Sequence, residues 1–335
     1  MAVDVADRAR VRDQEASLSA RAAWLYFSGR MTQSEIAKRL GVPSTKAHRL
    51  IARATREGLV RVFVDADVSE CVALEESLTV RYGLDHCRVA PDLGEGRLPL
   101  RTLGLAGANY LRDLLERRVH VCIGVGQGRT LSAVVKALPS MHCPDAAFVS
   151  LIGGLTRKFA ANPYDVIHGL AEKTAAEAYL LPVPLFAKSE ADKEVLMAQA
   201  GIGEVFAMGR AASLLLVGVG EVDGHAHLSE MGMVGEDEIA DRRAGGAAGE
   251  ILGRYFDVRG RPVASGLCGR VMSPDIEVLK ERTMIAIAGG VEKVEAMRAV
   301  LRSGLLDGLI TDEATGRSLI EGESAMAPPN SAPSD

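Results

Sequence analysis

The 335-residue chain is longer than a single hydrophobic core usually organises, so about two domains are expected, and its 47% hydrophobic and 25% charged residues are those of an ordinary globular protein rather than a disordered one. No run of about 18 apolar residues occurs, and the N-terminus MAVDVADRARVRDQEASLSA is charged throughout, which excludes a membrane span and a signal peptide and leaves a cytoplasmic protein as the expectation. The net charge of −5 hides an asymmetry: residues 1–62 hold twelve Lys/Arg against six acids, a net of +6, leaving −11 on the remainder, so only the head is suited to a polyanion.

In chain order, residues 1–16 are expected to be disordered. Over 17–29, SLSARAAWLYFSG, the residues Leu18, Ala22, Leu25 and Tyr26 recur at helical spacing and Gly29 supplies a stop. Thr32 can cap a second helix with an apolar face of Ile36, Ala37 and Leu40, after which Gly41 permits a tight turn. Pro43 or Ser44 opens a third helix with Ala47, Leu50, Ile51 and Ala54 inward and Gly58 at its end. Two short helices joined at a glycine, the second bearing Ser44, Thr45, Lys46, His48 and Arg49 outward, form a helix-turn-helix. A DNA major groove about 12 Å wide admits one such helix, whose first two turns reach base edges while Arg53 and Arg56 lie near phosphates; Gln33, opening the preceding helix, is grouped with them. The alternating LVRVFVD, Leu59 to Asp65, reads as a wing and completes a winged helix-turn-helix domain at 17–65.

Residues 66–83 form a linker in which Val68, Val72, Leu74, Leu78 and Tyr82 suit an amphipathic helix, expected to pair with its twin in a homodimer and so to set two heads about 34 Å apart on double-stranded operator DNA. From residue 84 the pattern changes. Apolar runs at 87–91, 119–126, 147–153, 178–184, 213–220, 283–290 and 308–311 alternate with helical segments at 98–117, 130–138, 162–176, 190–199, 291–302 and 312–320. Strands that are unbroken apolar runs are buried on both faces, so residues 84–322 are expected to form a doubly wound, mostly parallel α/β domain. The tail from Glu321, rich in Ser, Pro and Ala, is expected to be disordered from 323 to 335.

Such sheets bind ligands beyond the carboxyl ends of their strands, where this chain places GVGQGRT at 124–130, GGLT at 153–156, GVGEVDG at 218–224 and AGGVEK at 288–293. Gly124, Gly126 and Gly128 bring backbone N–H groups into the open, Arg129 supplies charge and Thr130 begins a helix, an arrangement for an anion or a polyhydroxyl compound. The dinucleotide spacing GxGxxG and a Walker lysine are both lacking, so no nucleotide cofactor is expected. Glu250, Asp257 and Lys293 could set carboxylates and an ammonium around a sugar, whereas no Ser, Cys and His grouping suggests a nucleophile. The odd, scattered cysteines 71, 87, 122, 143 and 268 are expected as free thiols, and the seven histidines show no metal spacing.

The order TQSEIAKRLGV, LEESLTVRYGL, IGVGQGRTLSAVVKALP, GGLT, AEKTAAEAYLLPVPLF, GVGEV, GEILGRYFD, AGGVEKVEAM and GLITDEATGRSL resembles the SorC/DeoR-type sugar-binding transcriptional regulators from about residue 20 to residue 320. The resemblance implies an effector domain similar to sugar-phosphate isomerases, a dimer or tetramer on an operator, and release or rearrangement by a sugar or polyol. It places effector contacts on Gly126, Gln127, Gly128, Arg129 and Thr130, on Gly153 and Gly154, on Asn162, and on Glu250 and Lys293. Two departures stand out: Gln127 occupies a place where relatives carry an aromatic or small residue, and Ile152 one where phosphosugar binders carry a basic residue. A neutral ligand is therefore expected, and the pattern is most similar to regulators of erythritol catabolism operons, which implies erythritol and a repressor. An isomerase-like enzyme with Glu250 as base beside Lys293, and a scaffold whose head meets protein, are the alternatives.

Overall fold

The computed structural model describes residues 2–56, 59–60, 69–118, 122–154, 165–222 and 244–321, with positions 235, 237, 238 and 240 singly, and for residues 2–14 and 56 the backbone only. The chain divides into two units, Met1–Ala66 and Asp67–Asp335.

The head is built from α1 (Ala2–Phe27), α2 (Gln33–Leu40) and α3 (Ser44–Arg56). Helix α1 corrects the expectation of a disordered start: residues 2–16 continue the helix without a Gly or Pro to interrupt it. It ends where Gly29 donates to the Trp24 carbonyl at 2.9 Å; a Cβ on Gly29 would stand 2.6 Å from the Leu25 carbonyl. Helix α2 opens with a reciprocal cap: Thr32 N–H donates to Glu35 Oε2 at 2.8 Å, and Glu35 N–H to Thr32 Oγ1 at 3.4 Å. The Thr32 N–H, and next the Thr32 hydroxyl donating to Oε2 at 2.7 Å, hold the Glu35 carboxyl below the usual carboxylate range. It closes on Gly41, at φ +63°, in the left-handed region that favours glycine. Ala22, Leu25, Ile36, Ala37, Ala47, Leu50 and Ile51 make the buried core of this unit, with Leu18 and Leu40 packed against it. Ala54 is buried as well, so the inward residues read from the sequence are those of the fold except Tyr26, which is exposed. Of the expected wing, Leu59 and Val60 carry no strand, and residues 61–65 lie outside the described residues, as do Gly58, the 322–335 tail and the side chain of Arg56.

In the body, β1 (His86–Ala90), β2 (Cys122–Val125), β3 (Ala147–Ser150), β4 (Glu177–Tyr179), β5 (Leu214–Val217), β9 (Thr283–Ile287) and β10 (Gly308–Asp312) form one parallel sheet in the order β1-β10-β9-β5-β2-β3-β4. All seven expected strands are present and short; the inner strands β2, β3, β5, β9 and β10 are largely apolar because both faces are covered, whereas the edge strands β1 and β4 expose Arg88 and Glu177. Along β5, Leu214 and Leu216 enter a core with α5 (Leu100–Arg117), α6 (Arg129–Ala137) and α7 (Ile167–Thr174). Leu215 and Val217 point the other way, into a core with α4 (Ser69–Tyr82), α11 (Val294–Arg302) and α12 (Glu313–Glu321).

Helix α4 packs on the body of its own chain, and Val68, the first residue of the expected amphipathic face, lies outside the described residues. Cys71 and Leu78 are buried in the body's own core, with Leu74 and Tyr82 packed against it. Glu75 accepts from Val89 N–H at 2.9 Å, and Arg81 donates to the Ile320 carbonyl at 2.6 Å. The apolar face is turned onto β1 and α12 of its own chain, where it buries more than an exposed linker could.

A second, antiparallel sheet, β6 (Ala247–Ile251), β7 (Arg254–Asp257) and β8 (Pro262–Val263), was not foreseen. Helices α8 (Glu190–Met197), α9 (Ile202–Ala211), the short α10 (Ile276–Leu279) and a 3-10 turn at Val291–Lys293 also belong to the body. No described helix is long and apolar enough to cross a membrane.

Candidate functional sites: a recess at the strand-order switch and the face of α3

The chain runs outward one way from β2 through β3 to β4, and the other way from β5 through β9 to β10. Neighbours β2 and β5 are therefore where the strand order reverses, and the crevice beyond their carboxyl ends is the place a doubly wound sheet offers a ligand. A recess lies there, lined by residues 126–131 after β2, Ile152 after β3, residues 218–221 after β5, Glu250 and Leu252 of the β6–β7 hairpin, and Lys293 before α11.

Its floor is backbone. Gly126 N–H donates to the Leu216 carbonyl at 2.9 Å and ties the turn to β5. Gly128 stands at φ +131°, which only glycine adopts without strain, and α6 starts behind it with no side-chain cap. The amide ends of that first turn, with Arg129 and Thr130, make the electropositive side of the recess. Gln127 Nε2 donates to the carbonyls of Ile152 at 3.2 Å and Gly153 at 3.4 Å.

The opposite side is acidic. Gly220 and Glu250 exchange backbone hydrogen bonds of 2.9 Å each, joining the turn after β5 to β6. A Cβ on Gly220 would collide with Glu250 Oε2, and Oε1 accepts from Gly253 N–H, so the carboxylate is fixed against bare backbone. Lys293 Nζ donates to the Val219 carbonyl at 2.9 Å. Burial holds its ammonium below the ordinary lysine value; Arg129 acts in the same sense, while Glu221 and Glu250 oppose it. Two carboxylates and two cations thus share a small volume, a setting for hydroxyl groups that both donate and accept.

Gly126, Gln127, Gly128, Arg129, Thr130, Glu250 and Lys293 are brought together as expected. Gly153 and Gly154 are not in the lining: they form its backing, Gly154 donating to the Val183 carbonyl at 2.7 Å, with no room for a Cβ on Gly153 beside Pro184. Asp257 is likewise elsewhere. It accepts from the N–H groups of Arg261 and Arg259 at 2.9 Å, the Arg261 bond doing most to lower its pKa, and so closes the β7–β8 turn. Asn162 lies outside the described residues. Glu221 and Leu252 were missed; an acid inside the glycine-rich turn after β5 was the available signal for Glu221. Among the described residues no group of three or more His, Cys, Asp or Glu could hold a metal ion.

On the head, Ser44, Thr45, His48 and Arg49 are exposed along one face of α3, and Lys46 and Gln33 are half-buried beside it. Arg53 differs from expectation. Its guanidinium is drawn to Glu15 of α1 at 2.8 Å, tying α3 to α1.

Over residues 66–321 the chain matches the family described as a sugar-binding domain, and over residues 28–61 that of winged helix-turn-helix DNA-binding domains. It is 51% identical over 308 residues, 92% of this chain and 98% of the other, to the erythritol catabolism regulatory protein EryD of Brucella abortus. It is 30% identical over 314 residues, 91% of this chain and 93% of the other, to the transcriptional regulator LsrR of Klebsiella pneumoniae. Among solved structures, the full-length sorbitol operon regulator SorC from Klebsiella pneumoniae superposes with a TM-score of 0.71 at 26% identity, covering 91% of this chain and 98% of that one.

Proposed function

This chain belongs to the SorC/DeoR family of sugar-binding transcriptional regulators, and from that premise we propose that it represses a polyol catabolic operon in the cytoplasm and is released from its operator by erythritol. Transcription regulation through a DNA-binding head and a sugar-binding body is the family's function; the ligand, the sign of regulation and the assembly are the proposal. The observation that carries the ligand is the composition of the recess. Glu221 and Glu250 face Arg129 and Lys293, and the flank after β3 presents the side chain of Ile152 rather than a cation. A dianionic phosphate would gain the amide end of α6 and Arg129 but would meet two carboxylates; a neutral polyol donates to the carboxylates and accepts from the cations without that repulsion.

A homo-oligomer with two heads about 34 Å apart would read a repeated or palindromic operator, and effector binding in the bodies would shift the equilibrium between two arrangements of the protomers. Calorimetric titration with erythritol and erythritol 4-phosphate tests the ligand class. Erythritol is expected to bind more tightly; a phosphate ester favoured tenfold, about 1.4 kcal/mol, overturns the neutral-ligand reading.

A further inference from the structure

The recess has two fixed flanks, and among the described residues Gln127 bridges to one of them. On the β5 flank, Glu250 is pinned between Gly220 and Gly253. On the β3 flank, the turn after the strand is held from behind: Ser150 Oγ donates to the Ile152 carbonyl at 2.8 Å, Gly153 N–H to the Met272 carbonyl at 2.9 Å, and Leu185 N–H to the Gly154 carbonyl at 3.1 Å. Gln127 reaches from the turn after β2 to this immobile wall and donates to two of its carbonyls. The backbone on either side of Gln127 cannot adjust, because Gly126 is bonded to β5 and Gly128 is committed to the helix start. The bridge therefore fills the β3 side of the recess beside Ile152, and removing it would release the volume of that side chain to a ligand.

Resting on the polyol reading above, we propose that Gln127 is the chain-length gauge of the effector site: its bridge to the Ile152–Gly153 turn confines the ligand to a short acyclic polyol and shuts out longer ones. Calorimetric titration of the full-length protein with glycerol, erythritol, xylitol and sorbitol tests it, in the wild type, Gln127→Ala and Gln127→Asn. The wild type should prefer the four-carbon polyol. Gln127→Ala should narrow the preference for erythritol over sorbitol by about tenfold, the range that one or two methylene-sized differences in a pocket command. Gln127→Asn, shorter by one methylene but still a donor of near-native volume, should fall between. An unchanged ratio in Gln127→Ala, or equal loss of all four polyols in both variants, overturns the gauge while leaving the polyol reading intact. Failure of the wild type to bind any of the four overturns the polyol reading itself.

Discussion

Glu250 carries the strongest expectation at the level of single residues. A hydroxyl donating to its carboxylate makes a charge-assisted bond, so Glu250→Gln, which keeps the shape and the bond from Gly253, should weaken polyol binding by about 1–2 kcal/mol in calorimetry. The same substitution should bring erythritol 4-phosphate closer to erythritol, because it removes repulsion. Cys87 offers a test with a definite pH window. Burial, reinforced by Glu75, pushes its thiol from 9.0 up to about 12. Folding thus favours the protonated form; the contribution is whole below pH 9 and is lost as pH rises toward 12. A thiol reagent near pH 8 should therefore label Cys87 much more slowly in the folded than in the unfolded chain. In the head, Arg49→Ala should cost about 1–3 kcal/mol of operator affinity and flatten the salt dependence by about one unit, since Arg49 stands outward on α3. Arg53→Ala should instead act mainly through stability, by cutting the tie to Glu15. Position in a helix could identify both arginines as basic and outward; it could not reveal that α1 continues far enough to place Glu15 within reach of one of them. Asp257 is ambiguous in sequence for a related reason, because a carboxylate among glycines and arginines serves a turn as readily as a ligand.

Among the elements, the inner strands of the parallel sheet were legible because burial on both faces leaves apolar runs, and the three head helices because caps, turns and spacing agree. The antiparallel β6–β8 sheet was not. Its strands are short, β6 contains a bulge beside Gly249, and the hairpin turn puts Leu252 at φ +49° where sequence would favour Asn or Gly. That turn matters to the site, since it carries the Gly253 N–H that fixes Glu250. The fate of α4 was also hidden, because an amphipathic helix shows that it has a face to bury but not against what. Leu78, fully buried there, should cost about 2–5 kcal/mol when changed to Ala, read as a lowered denaturation midpoint of the body. Dimerisation that survives this change would place the protomer contact elsewhere than on that face. Gly41→Ala should destabilise the head by about 1–2 kcal/mol, a left-handed cap being forced on a residue with a Cβ.

At the scale of the molecule, charge and architecture divide the labour: a head of +6 bears the exposed α3 face, and an acidic body bears the recess at the β2–β5 switch. The sequence made this division legible through its charge asymmetry and its ordered motifs, while the length of the ligand depends on how Gln127 meets the wall after β3, which no spacing rule reveals. The most direct test of the account is the affinity of the full-length protein for its own promoter duplex, followed by fluorescence anisotropy against a random duplex while erythritol is titrated at fixed moderate salt. The account predicts a preference for the promoter that collapses as erythritol saturates. Equal affinity for the two duplexes, or promoter binding that erythritol leaves untouched, would contradict it.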